Sequence, residues 1–326
     1  MKARSTADGP MSPSTRGSHM RDDGDKETRV TETFWAQHGA MSDPGALADW
    51  IDEIPADPAA IREAAGRLVF HYRAHGDVGE HGFTPDRMAE INLRYAQDMF
   101  ARLRAMNPNG PAGPREPTER LLGCCRDFTL FFVALARHRG LPARSRVGFA
   151  SYFVPGWFLD HVVPEVWVDG RWVLMEPEIG PGYVDPNDGA VLNPCDLPRD
   201  RFLVGPQAWL DARAGTRNPE TFVVAPDLMV PDLRSWPYLL HNLVLDVAAL
   251  NKQEMVLWDV WGLADGRVPD AGDAARIDEI ARQILAGADD PATVAALARE
   301  PGFRVPEVIR SIDPVVHVWS DVELRR

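Results

Sequence analysis

Three cysteines and nine histidines are the side chains here best suited to covalent and acid–base chemistry. Among the cysteines, Cys125 has a distinctive setting. It precedes an almost wholly apolar run, Phe128 to Ala136, which closes on Arg137-His138-Arg139-Gly140-Leu141-Pro142. Cations in a last turn, a Gly just past it and a Pro beyond make a helix stop. A helix that is apolar on every side is buried. The pattern predicts a central helix over 125–139, with Gly123-Cys124-Cys125 at its N-terminus. Aligned peptide dipoles favour a thiolate at that end, and the free N–H groups can hold an oxyanion. The chemistry this suits is nucleophilic attack on a carbonyl carbon.

A base must come from elsewhere in the fold. His161 is the best candidate, because it lies at the mouth of a predicted hairpin. Val162 to Val168 and Arg171 to Met175 read as strands, and Asp169-Gly170 supplies the positive φ of a two-residue turn. With that turn, paired positions sum to 339, so His161 faces Glu178 and Val163 faces Glu176. Side chains alternate along a strand, so His161, Val163, Glu176 and Glu178 share one face. Either glutamate, opposite or diagonal, could orient the imidazole and stabilise its cation.

These residues resemble the transglutaminase-like superfamily. Gly123-Cys124-Cys125-Arg126-Asp127-Phe128, followed by Gly140-Leu141-Pro142-Ala143-Arg144, is similar to that family's Gly-x-Cys, apolar helix and Gly-(Ile/Leu)-Pro-Ala-Arg pattern. Tyr152-Phe153-Val154-Pro155-Gly156, Asp160-His161 and Trp172-Val173-Leu174 extend the likeness. The resemblance implies a nucleophile at Cys125, a base at His161 and an orienting acid at Glu176. Cys124 falls on a variable position. The family's acid is normally Asp before Pro or Ala, whereas this chain reads Met175-Glu176-Pro177, one methylene longer. The specific motifs span residues 121–180. What they imply is an α+β, papain-like core with the cysteine helix packed on an antiparallel sheet, and with further helices before and after it. They also imply thioester chemistry on an amide or ester, without an organic cofactor. The acyl donor would be a small molecule or a peptide. The thioester would pass to water or to an amine acceptor. The alternative is a silent binding module that keeps the fold, and the Glu in place of Asp favours it.

The supporting elements are legible in outline. Residues 1–30 are polar and read as a disordered tail, and 31–326 as a single domain with its catalytic core at about 118–225. Asp57-Pro58 is an N-cap followed by Pro at the first helical position. A second helix is expected from Thr84 to Leu103, a loop from Asn107 to Pro117, and helix again near 236–263. Arg126 and Asp127 read as capping and ion-pair residues, Cys195 as an incidental loop thiol, and His138 as a helix-end cation. His71, His75 and His81 lack a defined ligand pattern, so a solvated helix end is expected rather than a metal-dependent hydrolase. Trp157 and Trp167 flank the site as candidate acyl-pocket walls.

Composition excludes other classes. The chain has 326 residues, with 35 Lys plus Arg against 48 Asp plus Glu, a net charge of −13. Such an acidic chain lacks the footprint of a nucleic-acid binder and is repelled by anionic membrane surfaces. No apolar run approaches a membrane span. Three cysteines, two of them adjacent, are not a disulfide framework, and the polar N-terminus shows no secretory signal. The expectation is a cytoplasmic protein.

Overall fold

The computed structural model describes residues 33–325. The predicted tail, residues 1–30, lies outside them. A helix at Pro58–Leu68 starts as expected, with the Asp57 carboxylate accepting from the Ala60 N–H at 2.8 Å. It leads into β1 (Val69–His71), which pairs in parallel with β2 (Leu121–Gly123), His71 lying beside Gly123. Between them runs a 3₁₀ segment, Pro85–Asn92, then a helix, Ala96–Met106. The cysteine helix, Cys125–His138, follows directly on β2, and its first thirteen residues are all buried.

The central sheet is antiparallel in the order β5-β4-β3-β6, where β3 is Ala143–Ala150, β4 Phe158–Val168, β5 Arg171–Leu174 and β6 Phe202–Val204. A short β7 (Phe222–Val223) joins β4 in parallel. The β4–β5 hairpin has the register its turn dictates: Glu165 opposes Leu174, Val166 Val173, Trp167 Trp172, and Val168 Arg171. Asp169 and Gly170 supply the positive φ angles, 50° and 79°. Beyond it, β8 (Asp259–Val260), β9 (Val308–Ile312) and β10 (Trp319–Glu323) form a separate three-stranded sheet. Helices at Gly205–Arg213, Ser235–Leu250, Ala271–Gly287 and Pro291–Leu297 complete the architecture. Among the described residues no helix is long and apolar enough to cross a membrane.

Two features of the sheet bear on the site. First, β5 stops at Leu174, and only Met175 N–H continues the ladder, to the Pro164 carbonyl at 2.9 Å. Carbonyls alternate along a strand, so the Val162 carbonyl faces the same edge with no strand to meet it. Thr129 Oγ1 donates to it at 2.8 Å. Thr129 is one helical turn from Cys125, on the same helix face. The open edge of β4 is therefore where the thiol end of the cysteine helix is anchored.

Second, buried charges fix β3 and β4. Glu165, fully buried, takes Arg144 at 2.7 Å, Arg199 at 2.7 Å and Arg146 at 3.3 Å. Burial alone would raise its pKa, but these three guanidiniums hold the carboxyl well below the usual range. Arg146 also forks onto Asp246 of the Ser235–Leu250 helix, at 3.0 and 2.8 Å. Arg144 lies over the Trp172 ring at 3.9 Å.

Candidate active site

The turn from β2 into the cysteine helix is held by Asp127. Its carboxylate accepts the Cys124 N–H at 2.8 Å and the Arg126 guanidinium at 2.9 Å. A Cβ on Gly123 would lie 2.5 Å from that carboxylate, so the position before the two cysteines has room only for Gly. Arg126 is buried beneath the turn, with Nε 2.9 Å from the Glu254 carbonyl. Both residues are structural, as the sequence suggests. Gly123→Ala is expected to displace Asp127, unlock the helix start and cut Cys125 reactivity at least tenfold, read by alkylation rate in a protein whose circular dichroism is little changed.

Cys125 is 5% exposed, His161 2% and Glu176 0%. His161 Nε2 and Glu176 Oε2 are 2.7 Å apart. Glu176, diagonal to His161 in the extended register, is thus the glutamate on the imidazole; Glu178 makes no hydrogen bond to it. The Tyr152 hydroxyl also donates to Glu176 Oε2, and the Glu178 N–H donates to its Oε1 at 2.9 Å. Burial opposes charge on both partners, but each stabilises the other. The His161 pKa is raised and the Glu176 pKa lowered, so the carboxylate supports the imidazolium that His161 becomes on taking a proton. The Phe153 ring meets the imidazole edge-on at 5.0 Å.

The thiol's surroundings differ from expectation. A helix N-terminus should lower its pKa. Here the Cys124 thiol against it, its burial, and the nearby Asp160 and Glu178 all push the Cys125 pKa up. Asp160 and Glu178 are the same two acids that support the charge on His161. Asp160 accepts from the Tyr238 hydroxyl at 2.6 Å; burial raises its pKa to about 6.

Several residues at the site were not read from the sequence as site residues. His71 does not end a solvated helix; it ends β1 beside Gly123. Its Nδ1 accepts the Arg73 and Ala74 N–H groups, at 3.1 and 3.0 Å, so Nε2 carries the proton. Burial, then His75, His161 and Arg73, lowers its pKa to about 3, which keeps it neutral. His75 and His81 pack around the Phe70 ring instead, at 5.2 and 4.8 Å. Arg62 fixes the loop after Met175 by donating to the Glu176 and Ile179 carbonyls at 3.2 and 3.1 Å. Nothing local in the sequence marks Tyr152, His71 or Arg62 for these contacts. Trp167 is not a wall of the site. It packs on Trp172 at 5.4 Å and lines, with Gly140 and Pro142, a shallow depression of about 330 Å³ at the other end of the cysteine helix. Trp157 closes a turn onto Val154. Cys195 sits in its loop, its N–H held by Asn193.

Comparison with known proteins agrees with this core. A family model of the transglutaminase-like superfamily matches residues 86–177, a stretch that holds Cys125, His161 and Glu176. The chain therefore carries a transglutaminase-like core, within a mixed helical and antiparallel-sheet fold. At the coarse level, this places it with cysteine-dependent enzymes. Among solved structures, it is similar to a provisionally assigned cysteine protease from Cytophaga hutchinsonii, at 15% identity and a TM-score of 0.32. The match covers 52% of this chain and 44% of that protein, so the chain spans less than half of it. No curated protein gives a significant match.

Proposed function

We propose that this chain is a cysteine-dependent acyl-transfer enzyme that works through a thioester on Cys125. The observation that carries the proposal is the His161–Glu176 pair at 2.7 Å. With Nε2 committed to the carboxylate, Nδ1 is the nitrogen left to take the thiol proton. In this reading Cys125 Sγ attacks an amide or ester carbonyl as His161 accepts its proton. Glu176 holds the imidazole in that tautomer and supports its cation. Backbone N–H groups at the start of the cysteine helix face the developing oxyanion. His161 then gives the proton to the leaving amine or alcohol. Water or an amine next attacks the thioester, and its proton returns through His161. The reaction is then that of an amidase or peptidase, or of an amide-forming acyltransferase.

The second reading is a silent binding module. The buried thiol, surrounded by acids, is the observation in its favour. Alkylation with iodoacetamide, resolved by peptide mass spectrometry, separates the two. On the enzyme reading Cys125 reacts faster than Cys195. Because the Glu178 and Asp160 carboxylates oppose the thiolate, the rate is still rising above the ordinary thiol range, and Glu178→Gln moves that rise to lower pH. Reaction of Cys125 only alongside Cys195, with no shift in the variant, supports the silent module.

A further inference from the structure

Glu178 makes no hydrogen bond to His161, yet it is set into the site. Its side chain is 9% exposed. Its backbone N–H is tied to Glu176, and Arg62 pins the carbonyls on either side of it. The helix behind the loop is close: a Cβ on Gly66 would lie 2.7 Å from the Pro177 carbonyl. The Glu178 carboxylate is therefore held in place rather than swinging in solvent. Oε1 points toward His71 Nε2 at 3.9 Å, beyond hydrogen-bond range, and Oε2 is buried with no hydrogen-bond partner. His71 lies beside Gly123, two residues before the nucleophile, and Glu176 holds His161. Glu178 is thus bracketed between the two halves of the site.

A buried carboxylate without a partner is costly, and proteins seldom keep one without a use. The groups facing it are the His161 imidazole, Glu176, Asp160 and neutral His71, with the Arg62 guanidinium behind the loop. Arg62 is spent on carbonyls and His161 on Glu176. Burial first, then Glu176 and Asp160 against His161, raises the Glu178 pKa to about 7.

We infer that Glu178, with Asp160, forms a subsite for a cationic group, an ammonium or guanidinium, carried by the acyl donor. This rests on the reading of Cys125 as nucleophile. The donor is favoured over an acceptor because the benefit falls on the first step. A cation beside Glu178 weakens the field that opposes the thiolate, so the donor helps ionise the thiol that attacks it. An acceptor arrives only after the thiol has been acylated.

Methanethiosulfonates test this on the full chain without a known substrate. The Cys125 thiol gives its proton to His161, and its sulfur attacks the reagent's sulfenyl sulfur. A disulfide forms, and methanesulfinate leaves. Rates at Cys125 for the 2-aminoethyl, methyl and 2-sulfonatoethyl reagents are compared with those at Cys195, which serves as an internal reference. The expected result is a cation-over-anion preference at Cys125 at least tenfold above that at Cys195. Glu178→Gln should bring the two ratios together, and Asp160→Asn should reduce the excess; the second variant decides the matter if the first does not fold. Equal ratios in the unaltered chain, or a preference that survives both variants, would overturn the subsite while leaving the nucleophile intact. Failure of all three reagents to reach Cys125 would overturn both.

Discussion

Glu176→Gln is expected to lower acyl-transfer activity by about 10⁴-fold, the scale seen when the orienting carboxylate of a Ser-His-Asp triad is made neutral. The amide keeps the size of the side chain but cannot support an imidazolium, and it can fix the wrong tautomer. The same change has a signature in stability. Glu176 has a lowered pKa, so its contribution is present above the ordinary value of 4.5 and is lost as pH falls through its folded pKa. His161 has a raised pKa, so its contribution is full below 6.5 and is lost as pH rises through its folded pKa. The pair therefore stabilises most between those two values. Denaturant melts at pH 5.5 and pH 9 should show a larger loss in the variant at pH 5.5. An equal loss at both would mean that the two groups are not an ion pair.

Asp246→Ala is expected to be the most damaging single change to stability away from the site. It strips the forked partner from Arg146 and the acceptor from the Val147 N–H, which bonds Asp246 at 2.8 Å. Breaking one side of a buried pair costs about 3–5 kcal/mol. For a chain of this size that corresponds to a fall in Tm on the order of 10 °C. The exposed pair Arg171–Asp196, at 2.6 Å, is the contrast. Arg171→Ala should leave the Tm almost unchanged, since solvent screens that pair. Thermal denaturation of the two variants side by side checks the difference.

The parts of the fold legible in the sequence are those set by local rules. The cysteine helix could be read because its stop signals and apolar run are contiguous. The hairpin register could be read because a two-residue turn admits one pairing. The stretch from Thr84 to Leu103 could not. Its apolar spacing suggests one helix, but the Leu93 and Arg94 carbonyls are taken by Arg126, and the Arg94 side chain is drawn to Asp259 at 2.6 Å. Carbonyls captured from a distance cannot serve a helix, so the chain is extended there. The segment around His71 fails for a similar reason: its pairing with β2 lies 52 positions away along the chain, from Val69 to Leu121. At the site, spacing alone left Glu176 and Glu178 as alternatives. Where β5 ends and where Arg62 pins the following loop decide which of them meets His161. The acidic setting of the thiol was hidden for the same reason, because it depends on groups that converge only in the folded chain.

On the proposed reading Cys125 carries an acyl group during turnover. The most direct test is intact-protein mass spectrometry of the unaltered chain and of Cys125→Ala, each incubated with soluble extract of the source cells. A mass increase is expected in the unaltered chain that is absent from the variant and is released by neutral hydroxylamine, as a thioester is. The added mass would identify the donor and show whether it bears the cationic group. No adduct on a chain whose Cys125 also reacts with iodoacetamide no faster than Cys195 would rule out an acyl-enzyme on Cys125.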